Sequence, residues 1–177
     1  MTASDSRYAI GLARRAELAA LPAIERAAGA LLLPYAPSSI LDETTGNDVL
    51  REALAHGRLW VARSAAGPVG FAIVCMLAPE HPHLAEVDVH PEHGRRGLGT
   101  ALVREACAWL ERSGHPALTL TTFRRVRWNM PFYAALGFEE VRAADLGPEL
   151  RAIVEDETAR GLDPETRVVM RYRRSPA

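Results

Sequence analysis

Hydrophobic and polar positions alternate along this chain with two periods, and the switches between them mark its elements. Tyr8–Leu12 opens as a short strand, and Arg14 to Ala30 then carries Leu18, Leu21, Ile24 and Ala28 at helical spacing. Pro22 lies inside that pattern without an amide donor, which predicts a kinked or split helix. Leu33–Thr45 contains Pro34, Pro37 and two serines and reads as a loop before a helix over Asn47–His56. Arg58–Arg63 and Val69–Leu77 read as two strands joined by Ala65-Ala66-Gly67-Pro68, with His83–His90 as the third strand of a meander. Leu98 to Arg112 is amphipathic, with Leu98, Leu102, Ala106, Trp109 and Leu110 on one stripe and Arg104, Glu111 and Arg112 opposite. Ser113-Gly114-His115-Pro116 stops that helix.

Ala117–Phe123 alternates as a strand and should lie parallel to His83–His90, closing a right-handed β-α-β crossover. Asn129 with Pro131 opens a short helix, and Phe138–Arg142 is a strand. Pro148–Arg160 is a helix stopped by Gly161, and Arg167–Tyr172 is the last strand. This order predicts a mixed α/β fold, with a largely antiparallel central sheet flanked by helices around the β-α-β unit. A length of 177 residues fits one domain over 1–177.

Composition narrows the partners. A net charge of -1 gives no electrostatic case for nucleic acid or an anionic membrane. No apolar run approaches the roughly 20 residues that span a bilayer, and Met1–Arg7 lacks the pattern of a signal peptide. Cys75 and Cys107 read as buried thiols, which places the protein in a reducing, cytoplasmic compartment. Every one of the 21 basic side chains is arginine, the composition of a GC-rich bacterial coding sequence.

The most informative stretch is Val87 to Thr100, VDVHPEHGRRGLGT. A strand runs into a loop with Gly94, Arg95, Arg96, Gly97 and Gly99, and a helix starts at once. The first amides of a helix lack intrahelical partners, and its dipole favours an anion there. Glycines admit a phosphate to those amides, and adjacent guanidinium groups match phosphate oxygens. The glycines alone would also suit a tight strand-to-helix corner; the arginine pair favours a diphosphate-binding turn. A nucleotide-hydrolase loop is excluded because the chain has no lysine, and a dinucleotide fingerprint fails at Leu102.

Pro91 and Arg96-Gly97-Leu98-Gly99 resemble the acetyl-CoA motif Gln/Arg-x-x-Gly-x-Gly/Ala of the GNAT superfamily of N-acetyltransferases. Gly94 stands where that motif has Gln or Arg, and Arg95 where Gly or Arg is common. Trp128 to Phe138 is similar to the family's late helix and strand, with its F-Y-x-x-L-G-F signature. The resemblance implies the GNAT acyltransferase fold, with acetyl-CoA as co-substrate and direct attack by a primary amine. No metal is implied, and a homodimer is among the expected states. It also implies that Val87, Asp88 and Val89 pair with the pantetheine arm. Arg95, Arg96, Gly97, Leu98, Gly99 and Thr100 would hold the diphosphate.

Tyr133 matches the tyrosine that protonates the leaving sulfur, since a phenol of pKa near ~10 stays protonated at neutral pH. Its other reading is a packing partner of Phe132. The family often places an asparagine seven residues before the tyrosine, where this chain has Val126. Asn129 reads as a helix cap and as a cofactor contact. An alkyl amine is protonated at neutral pH, so a base helps. Period-two alternation puts Glu86, Asp88 and His90 on one strand face, opposite Ala85, Val87 and Val89. Glu86 is the candidate base, then Asp88, then His83; the other reading is a strand face turned to water. Arg124, Arg125 and Arg127 form a solvated loop or meet the cofactor's 3′-phosphate or an acidic acceptor. Trp128 lines an acceptor cleft or packs in a core or interface. Two alternative functions stay open: a non-catalytic acyl-CoA sensor, and acetylation of protein or peptide amines.

Overall fold

The computed structural model describes residues 7–174, so all but the last residue of the Met1–Arg7 reading lies outside the described part. Seven strands hydrogen-bond in the order β1-β2-β3-β4-β5-β7-β6. They are β1 (Ala9–Leu12), β2 (Leu59–Ser64), β3 (Gly67–Met76), β4 (Pro82–Val89), β5 (Ala117–Phe123), β6 (Glu139–Glu140) and β7 (Arg167–Arg173). The helices are α1 (Leu21–Gly29), α2 (Ser38–Leu41), α3 (Asn47–Ala55), α4 (Leu98–Ser113), α5 (Met130–Ala134) and α6 (Pro148–Ala159). β1 with β2, β2 with β3, and β7 with both β5 and β6 are antiparallel, while β4 and β5 are parallel. This is the mixed, largely antiparallel α/β fold that the hydrophobic periods predict. Among the described residues no helix is long and apolar enough to cross a membrane.

The chain divides into two compact units, Met1–Cys75 with Leu84–Trp109, and Met76–His83 with Leu110–Ala177. In the first, Leu21 and Ile24 of α1 and Leu50 and Ala53 of α3 pack on Leu59, Val61, Phe71 and Ile73 of β2 and β3. Trp60 and Ala72, at the intervening positions, are also buried, so these strands bury both faces. Pro22 splits the first helical segment rather than kinking it. A 3₁₀ turn over Arg15–Ala20 ends where α1 begins, and Pro22 occupies the first turn of α1, where an amide has no partner to lose. The 3₁₀ turn is tied to β2 by a paired contact, Arg63 Nε to Glu17 Oε1 at 2.5 Å and Nη2 to Oε2 at 2.8 Å. The expected loop Leu33–Thr45 contains the single turn α2, which follows Pro37. Cys75 and Cys107 form no disulfide and are half-buried rather than buried, and desolvation pushes the Cys75 thiol up.

In the second unit, Val141, Leu146 and Val169 form a core with Leu150 and Val154. The expected strand Phe138–Arg142 shortens to the two residues of β6, paired with Arg171 and Met170. Glu111, expected on the solvent face of its helix, accepts a hydrogen bond from the Tyr172 hydroxyl at 3.2 Å. Arg167 and Glu157 form a nearly buried forked pair, at 2.7 and 2.9 Å, which Thr121 joins through its hydroxyl. His83 is also buried, with Nδ1 3.0 Å from Thr119 Oγ1. Desolvation depresses its pKa to about 4.

The depressed value sets an acid limit. The folded chain keeps His83 neutral, while an unfolded histidine takes a proton below about 6.5. Stability is therefore whole above that value and falls as pH drops toward 4. Urea unfolding at pH 5 against pH 7.5 should show a loss of about 2 kcal/mol from this group. The His83→Gln profile should lack that step.

Candidate active site

β4 ends at Val89 and the chain turns through a 3₁₀ segment, Pro91–His93, in which Gly94 N–H donates to Pro91 O at 3.0 Å. Arg95 then takes φ +59° and Gly97 φ +78°, both left-handed. Helix α4 follows, and Ala101 N–H donates to Gly97 O at 3.0 Å as its first helical bond. The amides of Leu98, Gly99 and Thr100 come before that bond and have no place in the helical ladder. No atom lies within 4 Å of where a Gly97 Cβ would be, so the backbone is open to close approach. The side chains of Arg95 and Arg96 are exposed beside it. At Gly94, where the motif has Gln or Arg, a Cβ would make a tight contact, 3.1 Å from Pro91 O.

Two residues that the sequence did not single out brace this turn. The Tyr8 hydroxyl lies 2.9 Å from His93 Nδ1, and the Arg96 guanidinium stands 5.9 Å from the Tyr8 ring centroid. His90, expected on the face of Glu86 and Asp88, sits instead in the turn. Its Nδ1 accepts from Glu92 N–H at 3.4 Å and its ring meets that of His93. A lone tyrosine upstream of β1 carries no sequence signal for this contact.

The alternation along β4 holds for the acids. Glu86 and Asp88 gather with Glu25 of α1, so that a carboxylate oxygen from each lies within 4.8 Å of the others. Glu25 was not among the candidates, because nothing in a helical stripe announces which strand position it will meet. Its carboxylate is fixed by Thr45, whose N–H and hydroxyl donate to it at 2.9 and 3.0 Å. Asp88 is half-buried as a residue, but its Oδ2 is shut off from solvent and has no hydrogen-bond partner among the described residues. Burial first, and then the charges of Glu86 and Glu25, hold the Asp88 carboxyl well above the usual carboxylate range. Glu25 is also raised by burial, against the hydrogen bonds from Thr45. At an effective dielectric of ~20, two charges this close repel by about 3–4 kcal/mol. His83 has the opposite parity along β4, and its Nδ1 lies at hydrogen-bond distance from Thr119 Oγ1.

In the second unit Tyr133 lies on α5 and is half-buried. Its ring packs edge-on against Phe132 and Phe138, with centroids 5.0 and 5.7 Å apart. The packing reading is thus true of the ring, which leaves the hydroxyl's chemistry a separate matter. The L-G-F signature has a physical basis here. Phe138 N–H donates to Tyr133 O and Gly137 N–H to Ala134 O, each at 3.1 Å, the paired bonds of a Schellman cap. Gly137 has φ +92°, as the cap requires, and the Phe138–Tyr133 contact is its apolar clasp.

Asn129 precedes α5, but its side chain makes no cap bond, a correction to that reading. The backbone does the work: Asn129 O accepts from Tyr133 N–H at 3.0 Å. Val126, at the family's asparagine position, is buried. Arg124 forms a forked pair with Glu140 at 2.8 and 2.9 Å, while Arg125 and Arg127 are exposed. Trp128 is 51% exposed, which removes its core-packing reading.

The model of the Acetyltransferase (GNAT) family matches residues 29–138. A mycothiol acetyltransferase from Segniliparus rotundus is 42% identical over 62 residues, 34% of this chain. That match spans 23% of the relative's length. Among solved structures, PaiA N-acetyltransferase from Thermoplasma acidophilum in complex with coenzyme A superposes with a TM-score of 0.70 at 15% identity, covering 94% of this chain and 98% of that one. The ribosomal-protein-S18-alanine N-acetyltransferase from Escherichia coli gives 0.65 at 19% identity, covering 96% of each. At such identities the likeness is one of fold.

The cap at Tyr133 can be tested directly. Gly137→Ala forces a side chain into φ +92° with its Cβ 3.4 Å from the Tyr172 ring. It should lower the unfolding free energy by about 1–2 kcal/mol in thermal or urea melts.

Proposed function

Because this chain belongs to the acetyltransferase (GNAT) family, we propose that it moves acetyl from acetyl-CoA to a primary amine by direct attack, as a single domain over 1–177. The observation that carries this is the turn: a strand, left-handed Arg95 and Gly97, and a helix whose first amides are unengaged in the ladder. Arg95, Arg96, Gly97, Leu98, Gly99 and Thr100 hold the diphosphate through backbone N–H groups and two guanidinium groups. Val87, Asp88 and Val89 pair with the pantetheine arm along β4. Asn129, whose side chain is not spent on the helix cap, contacts the cofactor. The coenzyme A bound in the PaiA structure supports this choice of co-substrate. Two cysteines outside any disulfide and an arginine-only basic set support a reducing, bacterial cytoplasm.

The chemistry divides between the two acids. Glu86 takes a proton from the acceptor ammonium, and the freed nitrogen attacks the thioester carbonyl. Nearby N–H donors hold the developing oxyanion. The C–S bond breaks as Tyr133 gives its phenolic proton to the sulfur. The second proton lost by nitrogen restores the phenol, and the one on Glu86 leaves to solvent. The products are amide, thiol and one proton.

The test is release of free CoA thiol across a panel of amines, run on wild type and Tyr133→Phe. The variant should lose about a hundredfold in kcat while calorimetry shows unchanged acetyl-CoA affinity. Arg95→Ala with Arg96→Ala should weaken acetyl-CoA binding roughly tenfold or more, because charge-assisted bonds to phosphate are lost. Acetyl-CoA binding with no thiol release from any amine would replace the transferase with a sensor.

A further inference from the structure

The three carboxylates of the first unit exceed what a single general base needs. Only one is required to take a proton, yet Glu25, Glu86 and Asp88 converge from two elements with oxygens within 4.8 Å of one another. Thr45 holds Glu25 in that aim by donating from both its N–H and its hydroxyl. Asp88 Oδ2 is buried with no partner among the described residues, which is costly for a polar atom unless something with a donor arrives. The charges that act on Asp88 are those of Glu86 and Glu25, of the same sign as its own. The other charged group acting on Glu25 is Arg26, whose own side chain is exposed, and Glu86 also reaches the Cys75 thiol on β3.

We infer that Glu25, Glu86 and Asp88 together bind the head of the acceptor as a primary alkylammonium ion, with one N–H directed to each carboxylate. The inference rests on the acetyl-transfer reading above and names the acceptor class for that site. The geometry suits the ion. An ammonium has three donors in a tetrahedral cone, and N···O bonds of about 2.8–2.9 Å put the three acceptors about 4.6 Å apart. A divalent metal would require further oxygen ligands beyond these three. The bound ion satisfies Asp88 Oδ2 and relieves the mutual repulsion of the three acids.

Selectivity follows from counting donors. A primary ammonium fills all three positions, a secondary one fills two, and a quaternary one fills none. An aryl amine, neutral at pH 7, brings no charge to the site. Glu25 is a positioning and selecting residue, and it leaves proton removal to Glu86.

The experiment uses butylammonium chloride as the probe, followed by carbon NMR of the side-chain carboxyl groups in the full chain without acetyl-CoA. Wild type should show saturable shifts at Glu25, Glu86 and Asp88. Butyltrimethylammonium should bind at least tenfold more weakly. Glu25→Gln, which keeps an acceptor for Thr45, should weaken butylammonium about tenfold. Its melting temperature at pH 8 should be unchanged or higher, since one of three like charges is gone. In turnover, Glu25→Gln should raise KM for a primary alkylamine about tenfold with little change in kcat, the reverse of Tyr133→Phe. Equal binding of the two probes, or wild-type affinity in Glu25→Gln, overturns the inference. So does magnesium or calcium chloride shifting the same resonances at lower concentration than butylammonium. A melting temperature that drops sharply in Glu25→Gln marks the trio as a structural cluster and overturns it as well. Saturable butylammonium binding without thiol release from any amine keeps the ammonium site and overturns the transferase instead.

Discussion

β3 approaches β4 so closely at Gly70 that a Cβ there would lie 2.7 Å from Asp88 O and 3.1 Å from Val89 Cγ2. No other residue type fits without moving one strand. One residue earlier, Val69 O accepts the His90 N–H at 2.8 Å, the point where strand gives way to turn. The clamp therefore fixes two things at once. It fixes the strand that aims Glu86 and Asp88, and it fixes the origin from which Pro91, Arg95 and Gly97 carry the chain into α4. A shift of β4 at this point would move the acids and the turn together, so the two share one mechanical reference.

The second unit solves a similar problem with a helix cap. Tyr133 sits on a helix of five residues, too short to be rigid by its own hydrogen bonds. The Schellman bonds through Gly137 and Phe138 fold the chain back over Tyr133 O, and three aromatic rings close around the result. The placement of the Tyr133 ring thus comes from backbone bonds made three and four residues past the helix. The same pair of bonds ends α3 at Gly57 and α6 at Gly161, so the device is general and its use beside an aromatic cluster is particular.

Most elements were legible because their apolar spacing is strong and their ends carry Gly or Pro. Leu98–Ser113 and Ala117–Phe123 matched their expected limits to within a residue, since both signals agree there. Pro22 split its segment, one of the two outcomes its position predicts, because it falls in the first turn of α1 behind a separate 3₁₀ turn. The differences elsewhere have local causes. Asn129 is of the right type for a cap, yet its backbone is at φ -112°, ψ -102°, and the side chain does not reach the helix amides. The strand face of Glu86 and Asp88 followed from period two alone. That Glu25 meets it depends on how α1 crosses the sheet, and Tyr8 reaches His93 across 85 positions. Contacts of that kind leave no trace in spacing.

Arg95 is the one residue other than glycine with positive φ among those described. A left-handed backbone costs an arginine about 1–2 kcal/mol that glycine would not incur. Position 95 thus sets foldedness against grip. Under selection for stability alone, drift at this codon runs toward glycine or asparagine, and each step strips a guanidinium from the turn. An anion held at the turn, as proposed above, would offset that cost. A copy of the gene relieved of its ligand would lose this residue among the first.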